Sequence, residues 1–408
     1  MVWAISGLTI LAILMRPYGL REYVWACAGA GVLVLLGLVS LLEAGHAVAR
    51  GYDVYLFLLG MLALAELARC QGVFAWLADR ALQASGGSRR RLFFLVYGVG
   101  VAVTTLLSND ATAVVLTPAV IAVLSRTDAD PMPYLYACIF VAGAASFVLP
   151  ISNPANLVVF GNHLPPLGTW LEIFFPASVI GVLGVVFLLY TLSRRSLRGS
   201  FVLRGTPHVL DHHGRVAFAA IAASAGILIA VAAQGGRIGL ATFGLGVAAT
   251  VVVYASGANV LPSLKRGISW TVVPLVAALF VIVQALSSAG ALTAADEFFR
   301  KCAALPTPRG NLLAGATVTM AENLLNNLPA ALAAQFAFAT GTVPPHIVHA
   351  TLVAIDLGPN LAVTGSLASL LWLLALRRAG IGVTPGQFFR VGCFVTILPL
   401  LLALALVR

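Results

Sequence analysis

The chain has 408 residues, of which 60% are hydrophobic and only 9% charged, against roughly a quarter charged in a typical soluble domain. So few charges cannot cover a water-soluble fold of this length; spanning helices of ~20 apolar residues suit the composition instead, because the hydrocarbon layer is ~30 Å thick. The formal charge of +10 reads as loop Lys and Arg that orient a membrane protein and meet anionic lipid headgroups, and not as a nucleic-acid surface.

Apolar segments at 2–15, 22–42 and 52–68 open the chain. The first lacks the charged start and small-residue cleavage site of a secretory signal and reads as a span. Between Arg69 and Arg91, Phe74, Trp76, Leu77 and Leu82 recur at helix-like spacing, which predicts an interfacial amphipathic helix. The segments 92–107, 111–124, 134–149 and 154–161 are short for spans and broken by Asn, Pro or Gly, whereas 171–193 is long enough to cross.

Residues 194–215 are basic, carry His208, His212 and His213, and lack any apolar run of spanning length. They predict a cytoplasmic linker between two halves, with the adjacent histidines solvated and not metal-bound. Beyond it, 216–233, 238–255 and 271–288 are predicted spans, followed by an amphipathic piece with Asp296, Glu297, Arg300 and Lys301. Short, interrupted segments return at 312–325, 328–340, 346–357 and 361–376, and a span at 391–407 closes the chain. The halves 1–193 and 216–408 thus follow one plan, and the expected fold is an all-α polytopic membrane protein of about ten transmembrane helices.

The interruptions centre on Ser108-Asn109-Asp110, Asn153-Pro154-Ala155-Asn156, Asn323 through Pro329, and Gly358-Pro359-Asn360. Non-helical backbone at membrane depth survives only inside protein or against a watery cavity. Paired broken segments in two halves are also the sequence mark of a midplane binding site. Each cluster is therefore expected at the tip of a re-entrant hairpin. Asparagine side chains and helix-end amides offer donors and acceptors without net charge, which suits a neutral polyhydroxyl solute; the same groups also serve as helix caps and interhelical bonds.

Asp110, Glu322 and Asp356 are the acids of these segments, with no basic residue in the same clusters, and Glu66 ends an earlier span. An ionisable group at membrane depth costs at least ~3 kcal/mol and marks function by default. Asp110 and Glu322 read as proton carriers, and Asp356 as a third or as a helix cap. Cys27, Cys70, Cys138, Cys302 and Cys393 lie far apart without a CxxC pair and read as small core residues, not as thiolate ligands or disulfides. No metal site and no cofactor is expected, and HExxH and GxSxG, the marks of an intramembrane enzyme, are lacking.

The stretches LSNDATAVVLTPAV, SFVLPISNPANLVVFGNHLPPLGTW, NLLNNLPAAL and DLGPNLAVTGSLASLLWLLALRR, extended by LARCQGVFAWLA and GSRRRLFFLVYGVGVAVTTLLSNDATAVV, resemble the bacterial arsenite/antimonite efflux permeases of the ion transporter superfamily. The resemblance implies a secondary transporter of the bacterial inner membrane that exports trivalent arsenic or antimony in exchange for protons, alone or with a soluble arsenical ATPase. It implies two inverted-topology repeats, scaffold and transport regions, and two re-entrant hairpins. Carried over, substrate contacts fall on Asn109, Asp110, Thr112, Ser152, Asn153, Asn156, Asn326, Asn327, Asn360 and Thr364, and proton coupling on Asp110, Glu322 and Asp356. Arsenite at neutral pH is mostly an uncharged trihydroxide, which needs hydrogen-bonding partners more than a counter-ion. Superfamily members that move sodium with dicarboxylates resemble a pattern with Ser-Asn-Thr at both tips; the Ser-Asn-Pro and Gly-Pro-Asn found here weigh against a carboxylate. The competing functions are a sodium/proton antiporter or anion transporter of the same superfamily, and a passive metalloid channel, in which buried acids would serve no purpose.

Overall fold

A computed structural model describes residues 1–161, 164–203, 205–338 and 341–408. Arg204 of the predicted linker and the last two positions of the predicted 328–340 segment lie outside the described residues. Among the described residues there is no strand, only an isolated bridge between Ser88 and Ser200.

Three helices open the chain: α1 (Val2–Met15), α2 (Glu22–Leu35) and α3 (Leu41–Arg50). Ser40 and Glu43 cap the start of α3 reciprocally, which is why the predicted 22–42 segment ends early as a helix and restarts. α4 (Tyr52–Cys70) follows at a bend of 47°. Gly72, at a φ of +74° that favours glycine, then turns the chain into the predicted amphipathic helix, α5 (Val73–Ala84).

Next, α6 (Arg89–Leu106) meets a segment built of α7 (Asn109–Ala111), a π-turn (Thr112–Leu116) and α8 (Thr117–Leu124). Arg89 pairs with Asp128 at 3.1 Å across their open end, and the Thr104 and Thr112 hydroxyls meet at 2.7 Å near the bend. The chain therefore doubles back here, and Ser108-Asn109 forms a hairpin tip. The next interruption behaves differently. α9 (Met132–Ala144) starts beside Arg89, whose carbonyl accepts from the Tyr134 hydroxyl at 3.1 Å. α10 (Pro154–Phe160) ends with Phe160 against Trp170, 5.7 Å between ring centres, at the start of α11 (Leu167–Ser193). α11 then returns Tyr190 to Arg90 and Phe94. Asn153 and Asn156 thus lie in a gap between two helices that continue in one direction, and not at the hairpin tip that the sequence predicts.

After the linker come α12 (His212–Ala233), α13 (Ile238–Ala255), α14 (Leu261–Gly267), α15 (Val272–Ser288) and α16 (Ala291–Ala303). α16 begins after Gly290 at φ +72°, as α5 begins after Gly72. α17 (Thr307–Leu325) and α18 (Asn327–Phe338) both pack on α16, so the chain doubles back a second time at Asn326, a non-glycine residue at φ +79°. α19 (Pro345–Leu357) sets His349 against Phe174, 5.4 Å away, and against the Arg408 carbonyl. α20 (Leu367–Arg378) brings Trp372 to Tyr136 at the start of α9, 5.8 Å away. The pair α19–α20 is therefore a second broken helix, opposite in direction to α9–α10, with its gap at Gly358-Pro359-Asn360. α21 (Pro385–Leu406) closes the chain along α11, where Pro399 packs on Gly184.

α9 and α19 are buried along almost their whole length. The outer helices show apolar faces instead, with Phe187 64% and Val251 59% exposed, as expected where lipid is the solvent. Close backbone approach holds α4 to α13: a Cβ on Gly60 or Gly246 would strike the other helix's main chain. Among the described residues, α11, α12, α13, the run Leu261–Ser288 and α21 are long and apolar enough to cross a membrane, as is the bent pair α3–α4. The other predicted spans are built from shorter or interrupted helices. This is a multi-pass membrane protein.

The linker is shorter and less free than its composition predicts. Asp211 caps α12 by accepting from the Gly214 N–H at 2.7 Å, so the helix begins at His212. His213 is half-buried and bonds the Ser256 hydroxyl at 3.0 Å. Upstream, the Phe201 N–H donates to Gly87 at 2.8 Å, the Val202 N–H to Asp128 at 3.2 Å, and the His208 N–H to Asp79 at 3.1 Å. Asp79 is fully buried and also takes Arg126 and Gln83. Removing one partner of such a pair strands the other, at roughly 3–5 kcal/mol when both are buried. Because the Arg126 side chain is 24% exposed, Asp79→Ala is expected near or below the lower figure, read as a fall in the thermal midpoint in detergent. An unchanged midpoint would show that the linker is not held through Asp79.

Candidate functional site

Each interruption is held open by side chains that stand in for the missing helical bonds. At the first tip, the Ser108 hydroxyl accepts from the Ala111 N–H at 3.1 Å and the Asn109 side-chain oxygen from the Asp110 N–H at 2.9 Å, which starts the short α7. The π-turn after it gives the chain one residue of slack, a feature often found at functional sites. In the first gap, Asn156 donates to the carbonyls of Ser146, Pro150 and Leu149 at 3.0, 3.3 and 3.4 Å. Ser152 donates to the Thr105 carbonyl at 3.1 Å, tying the gap to α6.

Asn153 caps α10 through its oxygen, 3.0 Å from the Ala155 N–H, and donates at 2.5 Å to one oxygen of Asp356. That single bond links the first gap to the second. The other Asp356 oxygen has no hydrogen-bond partner among the described residues, nor has either oxygen of Glu322, and both residues are buried. Glu322 lies against Gly358, where a Cβ would strike its carboxyl. In the second gap Asn360 donates to the Phe140 carbonyl at 2.9 Å, and its amide fills the space a Cβ on Gly143 would need.

Two cavities meet these groups. One, of about 10 Å³, is lined by Asn109, Asn327, Asp356, Asn360, Ser366 and Ser369 among others, with no basic side chain. It draws on both hairpin tips and on the second gap, and at about one water's volume it is a closed polar junction. The other, of about 440 Å³, falls within the range of ~300–1,000 Å³ usual for small-molecule sites. Ser108, Asp110, Pro154 and Leu367 form one wall; Phe57, Met61, Glu66 and Arg69 of α4, with Gly267 and Thr271, form the facing one. Arg69 grips Glu66 with two bonds of 2.7 and 2.6 Å. Arg378 also lines this cavity and has no ion-pair partner among the described residues. The sequence places no base within the interrupted clusters, but the fold brings two guanidinium groups from α4 and α20 to the cavity that Asp110 faces.

Of the predicted contacts, Asn109, Asp110, Asn327 and Asn360 line a cavity, and Asn153 reaches the small one only through Asp356. Ser152 and Asn156 are spent on backbone, Thr112 on Thr104, and Thr364 on the Asn323 carbonyl at 2.6 Å. Asn326 donates at 3.5 Å to the Thr364 carbonyl. Asp110, Glu322 and Asp356 do not form one cluster: Asp110 faces the large cavity, Asp356 the small one, and Glu322 neither. Ser366 and Ser369, absent from the sequence-based set, line the small cavity. They stand at the cap and third positions of α20, where Asn153 and Asn156 stand in α10, and that shared register was the available signal.

Asn156→Ala removes a donor from three carbonyls, of which Leu149 keeps the Ser152 N–H at 3.1 Å, and each buried group left unpaired costs ~1–3 kcal/mol. It is expected to lower the thermal midpoint in detergent by several degrees, whereas Asn109→Ala, which loses only the local bond to the Asp110 N–H and otherwise faces a cavity, lowers it less. Equal falls for the two, or none for Asn156→Ala, would contradict this division.

Compared with known proteins, residues 9–376 match the family model described as citrate transporter. An arsenical pump membrane protein of Escherichia coli is 24% identical over 419 residues, covering 98% of this chain and 96% of that protein. A putative arsenical pump membrane protein of Bacillus subtilis is 24% identical over 427 residues, covering 97% and 96%. The crystal structure of the Alcanivorax borkumensis YdaH transporter, described as having an unusual topology, superposes with a TM-score of 0.59 at 16% identity, covering 94% of this chain and 96% of that one. With its helices broken in opposed pairs around a polar junction, the chain belongs to the citrate transporter family of membrane transporters.

Proposed function

We propose that the protein exports trivalent metalloid, arsenite or antimonite as the neutral trihydroxide, across the bacterial inner membrane in exchange for protons, with or without a soluble arsenical ATPase. The observation that carries this reading is the junction of the two tips and the second gap, lined by asparagine and serine groups and one carboxyl, with no basic side chain. Such a lining offers donors and acceptors to a polyhydroxyl solute and no counter-ion to an anion. The near full-length similarity to proteins named arsenical pump membrane protein supports it.

In this reading the halves 1–193 and 216–408 are inverted repeats. Hairpin α6–α8 enters the membrane from the linker side, taken as cytoplasmic, and hairpin α17–α18 from the other. The hairpins and broken crossings move past a scaffold of uninterrupted helices, and the 440 Å³ cavity is the path from the cytoplasm to Asp110. A carboxylate is costly to carry through an apolar barrier, whereas a protonated carboxyl or a solute-filled site is far less so. That difference couples solute leaving to proton entering, because each ligand shifts the balance of states only by its differential affinity.

A second reading, an anion transporter, is favoured by one observation, the presence in the large cavity of Arg378, which has no ion-pair partner among the described residues. Everted vesicles separate the two. Under the first, a proton gradient drives arsenite uptake that excess citrate does not reduce; citrate uptake without arsenite uptake would establish the second. Asp110→Asn and Glu322→Gln are each expected to abolish gradient-driven arsenite uptake with normal amounts of protein in the membrane, and wild-type rates in both would reject the proton-coupling assignment. Replacing all five cysteines by Ala or Ser is expected to leave uptake largely intact, because none of them lines either cavity. Complete loss from one cysteine change, in stably inserted protein, would instead require a thiol relay.

A further inference from the structure

Asn323 lies in the last turn of α17, one residue after Glu322, and both amide N–H groups, its side-chain oxygen and its main-chain carbonyl are all bonded. Its amide N–H groups donate to the Thr319 carbonyl at 2.8 Å and to the Gly358 carbonyl at 3.0 Å. Its side-chain oxygen accepts from the Ala362 N–H at 3.0 Å, and its main-chain carbonyl accepts from the Thr364 hydroxyl at 2.6 Å. The far side of the same loop is also fitted to it, since a Cβ on Gly365 would lie 2.6 Å from the Asn323 side-chain oxygen. Three points of the second gap, at 358, 362 and 364, are thus fastened to one side chain and its carbonyl. Asn323 lines neither cavity, so it does not touch a solute held there.

Its neighbour Glu322 is the opposite case. Neither of its carboxyl oxygens has a hydrogen-bond partner among the described residues, so no bond of its own fixes where that carboxyl stands. It is placed by the bare Cα of Gly358, two residues from Asp356, and Gly358 is in turn held by Asn323. We propose that Asn323 is a positioning residue for proton coupling: it locks the second hairpin to the second gap so that the Glu322 carboxyl keeps its place against the Gly358 turn and hence relative to Asp356. The inference rests on the coupling role proposed above for Glu322 and on the one that the resemblance implies for Asp356. Asn156 is the counterpart in the first half, since it fastens the first gap with three bonds but has no acid beside it. Loss of Asn323 therefore reaches coupling, whereas loss of Asn156 reaches stability.

The test uses full-length protein in proteoliposomes with a pH-sensitive dye in the lumen, and measures proton flux with and without arsenite, together with kcat and KM for arsenite. Asn323→Ala is expected to lower kcat about tenfold or more, the scale of one unpaired buried group, with KM little changed and with a proton leak in the absence of arsenite. Asn323→Asp is the informative partner. When protonated it offers one donor and one acceptor, enough for Gly358 and Ala362; when ionised it offers no donor. Its rate, divided by that of the unaltered protein at each pH because Glu322 and Asp356 face the same turn, is expected to recover as the pH falls. Wild-type coupling in Asn323→Ala, an effect confined to KM, or a pH-independent Asn323→Asp ratio each overturns the proposal. If Asn323→Ala fails to insert, the Asn323→Asp ratio alone decides. The leak is read without arsenite, so a failure of the unaltered protein to move arsenite rejects the proposed function separately.

Discussion

A backbone N–H or C=O has no partner in lipid, and among the described residues of this multi-pass protein helices are interrupted at four clusters of Asn, Ser, Pro and Gly. Everything distinctive about the site follows from how those freed groups are satisfied. Asn156 and Asn323 act as strapping for the two gaps, Ser108 and Ser366 cap the helices that restart beyond the breaks, and Asn153 and Asn360 cross from one broken helix to the other. A bond to backbone leaves a side chain fewer groups for a solute, so the polar residues divide into those whose bonds all serve the interruption, such as Asn156, and those, such as Asn109, Asn360 and Ser366, that also face open space.

That division places charge as well as hydrogen bonds. Asp356 gives one oxygen to Asn153 and keeps the other without a partner, while Glu322 keeps both. Among the described residues no guanidinium pairs with either acid, whereas the wide cavity on the linker side holds the tightly bonded Glu66–Arg69 pair and Arg378. The protein therefore has an outer chamber with paired and unpaired charges and an inner polar junction lined by a single carboxyl. Asn109 and Asp110, adjacent at the first hairpin tip, face the inner and outer chambers respectively. This puts the tip at the boundary between them.

Much of this was legible in the sequence, because apolar length and its interruption by Asn, Pro and Gly are local signals. The four clusters, the amphipathic α5 and α16 and the linker all appear where composition changes. The direction of the chain after each cluster was not legible: Ser108-Asn109 turns back and Asn153-Pro154 carries on, and only partners distant in sequence, such as Arg89 with Asp128 and Phe160 with Trp170, reveal which. The roles of individual asparagines were hidden for the same reason. Asn156 and Asn109 read alike in the chain, yet one faces three carbonyls and the other a cavity. Arg69 and Arg378 seemed remote from the acids because 41 and 268 residues separate them from Asp110, and helix packing removes that distance.

The central claim is that the chamber facing Asp110 opens to one side of the membrane and then to the other. In a cysteine-free background, Val115→Cys places a thiol on its wall, and labelling by a membrane-impermeant maleimide reports which side has access. The account predicts labelling from the linker side at rest and additional labelling from the opposite side once arsenite and a proton gradient drive turnover. Labelling from the linker side alone, unchanged during measured turnover, would contradict it.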